Sequence, residues 1–208
     1  DDNYEFVGKP KYYGSGSVKE KENYKELFSE VDDEVAVGEA STIYLHDSEA
    51  CEKIAQAIPD VKLIFILRNP VERAYSQYLH QIRDGRENHQ SFEDALLAEE
   101  ERKEKNWGPF WTYKNSGLYY EQLIPYFKNF PRNQIKNIIF EEFITNKDKT
   151  IKDVLSYLNV REFEYLDLNI KSNATGYPKF GLLNNLFNNA TIRNLYRKNK
   201  DILPENFI

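Results

Sequence analysis

Apolar and polar positions come in blocks along this chain. Val61-Lys62-Leu63-Ile64-Phe65-Ile66-Leu67 is an apolar run broken only by Lys62, rich in β-branched and aromatic residues. Such a run predicts a buried strand of a parallel sheet. Ile135–Phe140 predicts a second strand and Glu34–Val37 a short third. The segments between follow a helical period. Asp47–Ile58 predicts a helix capped by Asp47 and ended before Pro59, and Pro70–Asp84 one stopped by Gly85. Ser91 predicts the cap of a strongly charged helix, with Asp94 at its third position as a shorter stand-in for a capping-box glutamate. Leu118–Asn129 and Lys147–Leu158 complete the set, the latter with Ile151, Val154, Leu155 and Leu158 at helical spacing. Strands alternating with helices predict an α/β fold, a parallel β-sheet flanked by helices. No repeat or domain boundary interrupts residues 1–208, and the tail Asn184–Lys200 reads as helical.

The junction after the first long strand carries the chemistry. Arg68 stands at its carboxyl end, Asn69 is placed to cap the next helix, and Pro70 suits the first helical position. Ser76 falls about two turns into that helix. A guanidinium fork, a hydroxyl and helix N-terminal amides would make an anion site where open α/β sheets bind ligands.

Composition narrows the picture. The formal net charge of −6 argues against nucleic-acid binding or attraction to an acidic membrane through bulk charge. No membrane span or signal peptide is visible. Cys51 is the single cysteine, so no intramolecular disulfide or cysteine-rich metal site can form, and a packed thiol in a cytoplasmic setting is expected. His46, His80 and His89 show no metal-ligand spacing, so no metal is expected. His80 shares a helix face with Ser76, and His89 lies in a polar loop. Trp107, Phe110, Trp111 and Tyr113 read either as core or as an aromatic lid over a substrate pocket. Asn173-Ala174-Thr175 and Asn189-Ala190-Thr191 fit the glycosylation sequon, a pattern short enough to arise by chance.

Arg68, Ser76 and their strand–helix context resemble the sulfotransferases that use 3′-phosphoadenosine 5′-phosphosulfate. Gly38–Leu45, Gly117-Leu118-Tyr119, Ile138–Phe143 and Asn173–Tyr177 are similar to further segments of that family, the last to its carbohydrate, heparan-sulfate-type branch. The resemblance implies a P-loop-nucleotide-kinase-like sulfotransferase fold. It implies that Arg68 and Ser76 bind the nucleotide 3′-phosphate and that Phe140 stands near the adenine. The implied co-substrate is 3′-phosphoadenosine 5′-phosphosulfate, with no metal. The implied partner is a hydroxyl-bearing acceptor: a saccharide, a small molecule or a carrier-bound polyketide.

The family's amino-terminal phosphate loop is not seen. Gly14-Ser15-Gly16-Ser17 lacks a preceding strand and a following Gly-Lys-Ser/Thr, and reads as a mobile loop. The chain starts at Asp1 and contains no methionine. Residues 1–208 therefore read as one sulfotransferase-like domain incomplete on its amino-terminal side, with the carboxyl-terminal side open to the same reading. For the catalytic base, Glu39 and His46 are the candidates. Lys9 occupies the glutamate position of a family-like segment at Gly8–Tyr13 and reads rather as a phosphate or substrate contact. Glu39 as a surface or salt-bridged residue stays open. Two other functions remain beside this one: another nucleotide-dependent transferase such as a small-molecule kinase, and a non-catalytic nucleotide-binding domain.

Overall fold

The computed structural model describes residues 21–161. Lys9, the Gly14–Ser17 loop, both sequons and the Asn184–Lys200 tail lie outside them. The described elements run α1 (Lys21–Glu26), α2 (Ala50–Ala57), β1 (Leu63–Leu67), α3 (Pro70–Arg83), α4 (Phe92–Leu97), α5 (Glu99–Glu104), α6 (Tyr119–Asn129), β2 (Ile135–Ile139), α7 (Phe140–Thr145) and α8 (Lys147–Leu158). Short 3₁₀ turns at Pro109–Trp111 and Asn115–Gly117 lead into α6, and a third at Arg132–Gln134 leads into β2.

Among the described residues β1 and β2 form a parallel pair, in register from Leu63 opposite Ile135 to Leu67 opposite Ile139. The pairing brings residues far apart in sequence to one sheet end. Gln134 fixes the register from below, donating from Nε2 to the Pro59 and Val61 carbonyls at 2.9 and 3.1 Å. One apolar cluster sits beside the sheet: Cys51 of α2, Tyr126 of α6 and Phe130, with Phe65, Leu63 and Ile135 against them. Burial pushes the Cys51 thiol above its ordinary pKa. The Tyr126 hydroxyl donates to the Tyr44 carbonyl at 2.8 Å, tying the segment before α2 to α6.

A second cluster lies on α3, where Ala74, Tyr78 and Ile82 meet Ala95 and Tyr113. Beside it is a buried polar knot. The Arg102 guanidinium donates to Glu87 Oε1, and the Tyr113 hydroxyl donates to Glu87 Oε2, both at 2.6 Å. Glu87 Oε1 also accepts from the Asn88 and His89 amides. Arg102 reaches the Trp111 carbonyl at 3.2 Å and packs under the Trp107 ring. Glu99, also buried, accepts from the Lys114 and Asn115 amides at 2.8 and 2.7 Å. The aromatic group of the sequence is therefore core where it is deepest: Trp111 and Tyr113 are 2% and 0% exposed.

Several predicted elements change. Glu34–Val37 is not a strand; the segment is irregular, with Val35 75% exposed. Glu34 Oε2 accepts from the Asp32 amide at 2.7 Å, a local contact that competes with extended pairing. The helix expected from Asp47 begins at Ala50, because Asp47 Oδ1 accepts from the Glu49 amide in a turn of its own. The charged helix after Ser91 is capped as expected, Ser91 Oγ accepting from the Asp94 amide at 3.0 Å, but it divides at Ala98 as Glu99 turns inward. The strand expected through Phe140 ends at Ile139, and Phe140 opens α7.

Candidate functional site

The carboxyl ends of β1 and β2 open onto a cleft of about 440 Å³. Leu67, Arg68, Asn69, Pro70 and Glu72 line it from the β1–α3 side, and Tyr119, Ile139 and Glu141 from the other. This is where a parallel sheet presents ligands to its loops.

The β1–α3 turn folds as its sequence dictates. Asn69 caps α3, its side-chain oxygen accepting from the Val71 and Glu72 amides at 3.0 and 3.2 Å, and Pro70 takes the first helical position. The turn is clamped from outside. The Tyr119 hydroxyl donates to the Arg68 carbonyl at 2.9 Å. Gly117 lies so close that a methyl group there would sit 2.9 Å from Pro70 Cβ. Glu141 Oε1 accepts from the Asn69 amide at 2.9 Å. That bond, Glu141's own amide and, more weakly, Arg68 hold the Glu141 carboxyl below the usual carboxylate range.

These contacts correct one expectation. Amides at the α3 N-terminus are not free for an anion: Asn69 gives its N–H to Glu141, and Val71 and Glu72 give theirs to the Asn69 side chain. The ligand-seeking group of the turn is the Arg68 guanidinium. It stands over the Phe140 ring at 5.3 Å and touches Glu72 Oε2 at 3.3 Å through Nη2. Its Nε is buried without a partner among the described residues. A buried donor left unmatched is costly, and a ligand acceptor would satisfy it.

The other candidates are more dispersed. Ser76 is half-buried on α3, one turn beyond Glu72, and is not among the cleft-lining residues. His46 lies in a half-buried turn before α2; burial, and then the nearby Arg73 charge, hold its imidazole below its ordinary pKa. Glu39 is exposed and lies beside the Tyr44 and Tyr24 hydroxyls, whose pKa its carboxylate helps to raise. Burial and that contact push the Tyr44 hydroxyl upward. Neither His46 nor Glu39 lines the cleft. Among the described residues no three His, Cys, Asp or Glu side chains converge as a metal site. No described helix is long and apolar enough to cross a membrane.

Sequence reasoning assigned no role to Glu72, Tyr119 or Glu141. The spacing of Asn69 and Glu72 is that of a capping box, a signal for Glu72 that was open to view. Tyr119 and Glu141 fall inside segments that resemble the family, but nothing local names their partners, 51 and 72 residues away.

The sulfotransferase family model matches residues 44–164, more than half of the chain and the whole of this cleft. The chain belongs to the sulfotransferase family. A crystal structure of a sulfotransferase from Alicyclobacillus acidocaldarius is 35% identical and superposes with a TM-score of 0.74, over 82% of this chain and 69% of that one. The α/β sulfotransferase fold follows from that likeness. Mouse heparan sulfate glucosamine 3-O-sulfotransferase 3B1 is 27% identical over 123 residues, 59% of this chain and 31% of that protein. The membrane-associated sulfotransferase kil1 of Dictyostelium discoideum is 30% identical over 67 residues, 32% of this chain and 14% of that one. This sulfotransferase-family chain thus spans about a third or less of the curated relatives it matches.

Proposed function

We propose that this protein is an enzyme that transfers a sulfuryl group from 3′-phosphoadenosine 5′-phosphosulfate to a hydroxyl acceptor. One observation carries the reading: Arg68, whose Nε has no partner among the described residues, stands at the carboxyl end of β1 inside the cleft. Its donors suit a phosphate monoester, and the Phe140 ring beneath it offers a flat apolar neighbour for a base. In this reading Arg68 grips the 3′-phosphate, Ser76 supports it from α3, and Phe140 stands near the adenine. Bound there, the nucleotide supplies the activated sulfuryl group, and no metal is required.

Of the base candidates, His46 has a favourable protonation state. Burial and the nearby Arg73 charge lower its pKa and so favour the unprotonated imidazole a base needs, although it stands outside the cleft lining. Glu39 is already engaged with two tyrosines. Lys9 is assigned to phosphate or substrate contact. A saccharide hydroxyl is the favoured acceptor, since the named mouse relative acts on heparan sulfate glucosamine. The lone buried Cys51 goes with a cytoplasmic setting.

The test is a transfer assay on the full-length protein with sulfur-labelled 3′-phosphoadenosine 5′-phosphosulfate and a panel of saccharide and small-molecule alcohols. Labelled product is expected, and Arg68→Ala should reduce it sharply. Binding of the nucleotide with no transfer to any acceptor would turn the reading toward a non-catalytic binding domain. Absence of nucleotide binding would sink it.

A further inference from the structure

Two carboxylates flank the Arg68 fork, and they are held differently. Glu141 is fixed to the Asn69 amide at 2.9 Å. Glu72 occupies the capping-box position, whose carboxylate ordinarily turns back to the N-cap amide. Here that amide is already taken by Glu141, from 72 residues away. Glu72 turns instead to Arg68. The resulting contact is loose: 3.3 Å, with the two side chains 35% and 60% exposed. Both partners line the cleft, and Arg68 keeps an unmatched Nε.

We propose that Glu72 is the resident counter-ion of Arg68, displaced when a nucleotide phosphate binds and returning as the spent nucleotide leaves. The proposal rests on the reading of Arg68 as the 3′-phosphate contact. A phosphate monoester carries about −1.5 to −2 charges at neutral pH and three acceptor oxygens, against one charge on a carboxylate. It can use the fork in a planar, two-point grip. Glu72, exposed to water, gives up a weak surface pair when displaced. Once the product begins to dissociate, the same carboxylate is within reach to recapture the guanidinium. Glu72 would thus lower nucleotide affinity and hasten product release.

The experiment is calorimetry and stopped-flow dissociation on the full-length protein, in wild type, Glu72→Gln, Arg68→Ala and the double variant. The probes are adenosine 3′,5′-bisphosphate and adenosine 5′-phosphate. Glutamine is itself accepted at the capping-box position, so the helix start is preserved; Glu72→Ala serves as a second variant, checked by thermal melting. The expected result is bisphosphate binding tighter by about three- to ten-fold in Glu72→Gln, mostly through slower dissociation. Affinity for the 5′-phosphate should stay unchanged, and the gain should vanish in the Arg68→Ala background. If wild type prefers the bisphosphate but Glu72→Gln and Glu72→Ala bind it no better, the proposal falls and the Arg68 reading stands. A gain that persists without Arg68 also overturns it, as a general effect of charge. If wild type binds the two nucleotides alike, the Arg68 reading fails and takes the proposal with it.

Discussion

Two arginine–glutamate pairs in this molecule share their chemistry and differ in their surroundings. Arg102–Glu87 is 2.6 Å long with side chains 6% and 0% exposed; Arg68–Glu72 is 3.3 Å long and open to water. Around Glu87, both carboxylate oxygens are taken, by Arg102, Tyr113 and two backbone amides. Around Arg68, one nitrogen has no acceptor among the described residues. A charge pair is a fastening when the remaining polar atoms are matched and water is excluded. Where neither holds, the same pair is a place kept ready for a stronger anion. Burial also decides the energetics, since breaking a buried pair strands a charge while an exposed pair is worth little.

The largest effect is expected at the buried pair. Arg102→Ala should destabilise the fold by about 3–5 kcal/mol, read by urea or thermal denaturation, because it strips buried Glu87 of its counter-ion, leaving only Tyr113 and two amides as partners. A loss no larger than that of Glu72→Ala would dissolve the distinction. Next in size is Arg68→Ala, expected to cost about 1.5–3 kcal/mol of adenosine 3′,5′-bisphosphate binding with little change in melting temperature. Ser76→Ala should cost less. Equal losses for adenosine 5′-phosphate, measured calorimetrically, would contradict the assignment of either residue to a 3′-phosphate.

Gly117→Ala joins the two regions. The segment that Glu99 ties down at Lys114 and Asn115 presses Gly117 onto Pro70, at the start of α3. A methyl group at 2.9 Å from Pro70 Cβ forces the two apart. A stability loss of about 1–3 kcal/mol is expected, together with weaker nucleotide binding. Unchanged stability would show that the turn yields freely. Phe140→Leu should weaken nucleotide binding by about 0.5–1.5 kcal/mol while the domain stays folded, since it removes an aromatic face. Unaltered affinity would leave Phe140 as packing under Arg68 alone.

The smallest effect is in acid. Burial alone would raise the Glu87 carboxyl, but hydrogen bonds from Arg102 and Tyr113 outweigh it and hold the group below the usual carboxylate range. A carboxyl depressed in the folded state lends stability that is complete above its unfolded pKa, about 4.3, and is lost as pH falls through the lower folded value. Stability measured downward from pH 5 should therefore decline, and Glu87→Gln should flatten that decline. An equally steep acid limb in the variant would assign it to other carboxyls.

What the sequence disclosed was local. The strand predicted over Val61–Leu67, the helix opened by Asn69 and Pro70 and the periodic Lys147–Leu158 helix carry their signals within a few residues and all form, the strand two residues shorter, from Leu63. Arg68 was marked by standing at that junction. Glu34–Val37 misled because β-branched residues describe a strand only where a partner exists to receive their hydrogen bonds. The Glu87–Arg102–Tyr113 knot gave no warning, since its members lie 15 and 26 residues apart and follow no period. A still longer separation, 72 residues, hid the grip of Glu141 on Asn69, and with it the reason that the helix amides are already engaged.

Cys51 is the sequence's single cysteine, and it is 1% exposed in the cluster shared by α2, α6 and Phe130. Because only a thiolate reacts readily and this thiol is both covered and raised in pKa, an alkylating reagent can reach it only when that cluster opens. The wild-type chain therefore carries its own stopwatch for local breathing. The labelling rate of one native side chain reports how often α2 lifts away from α6, with no engineered probe and no second thiol among residues 1–208.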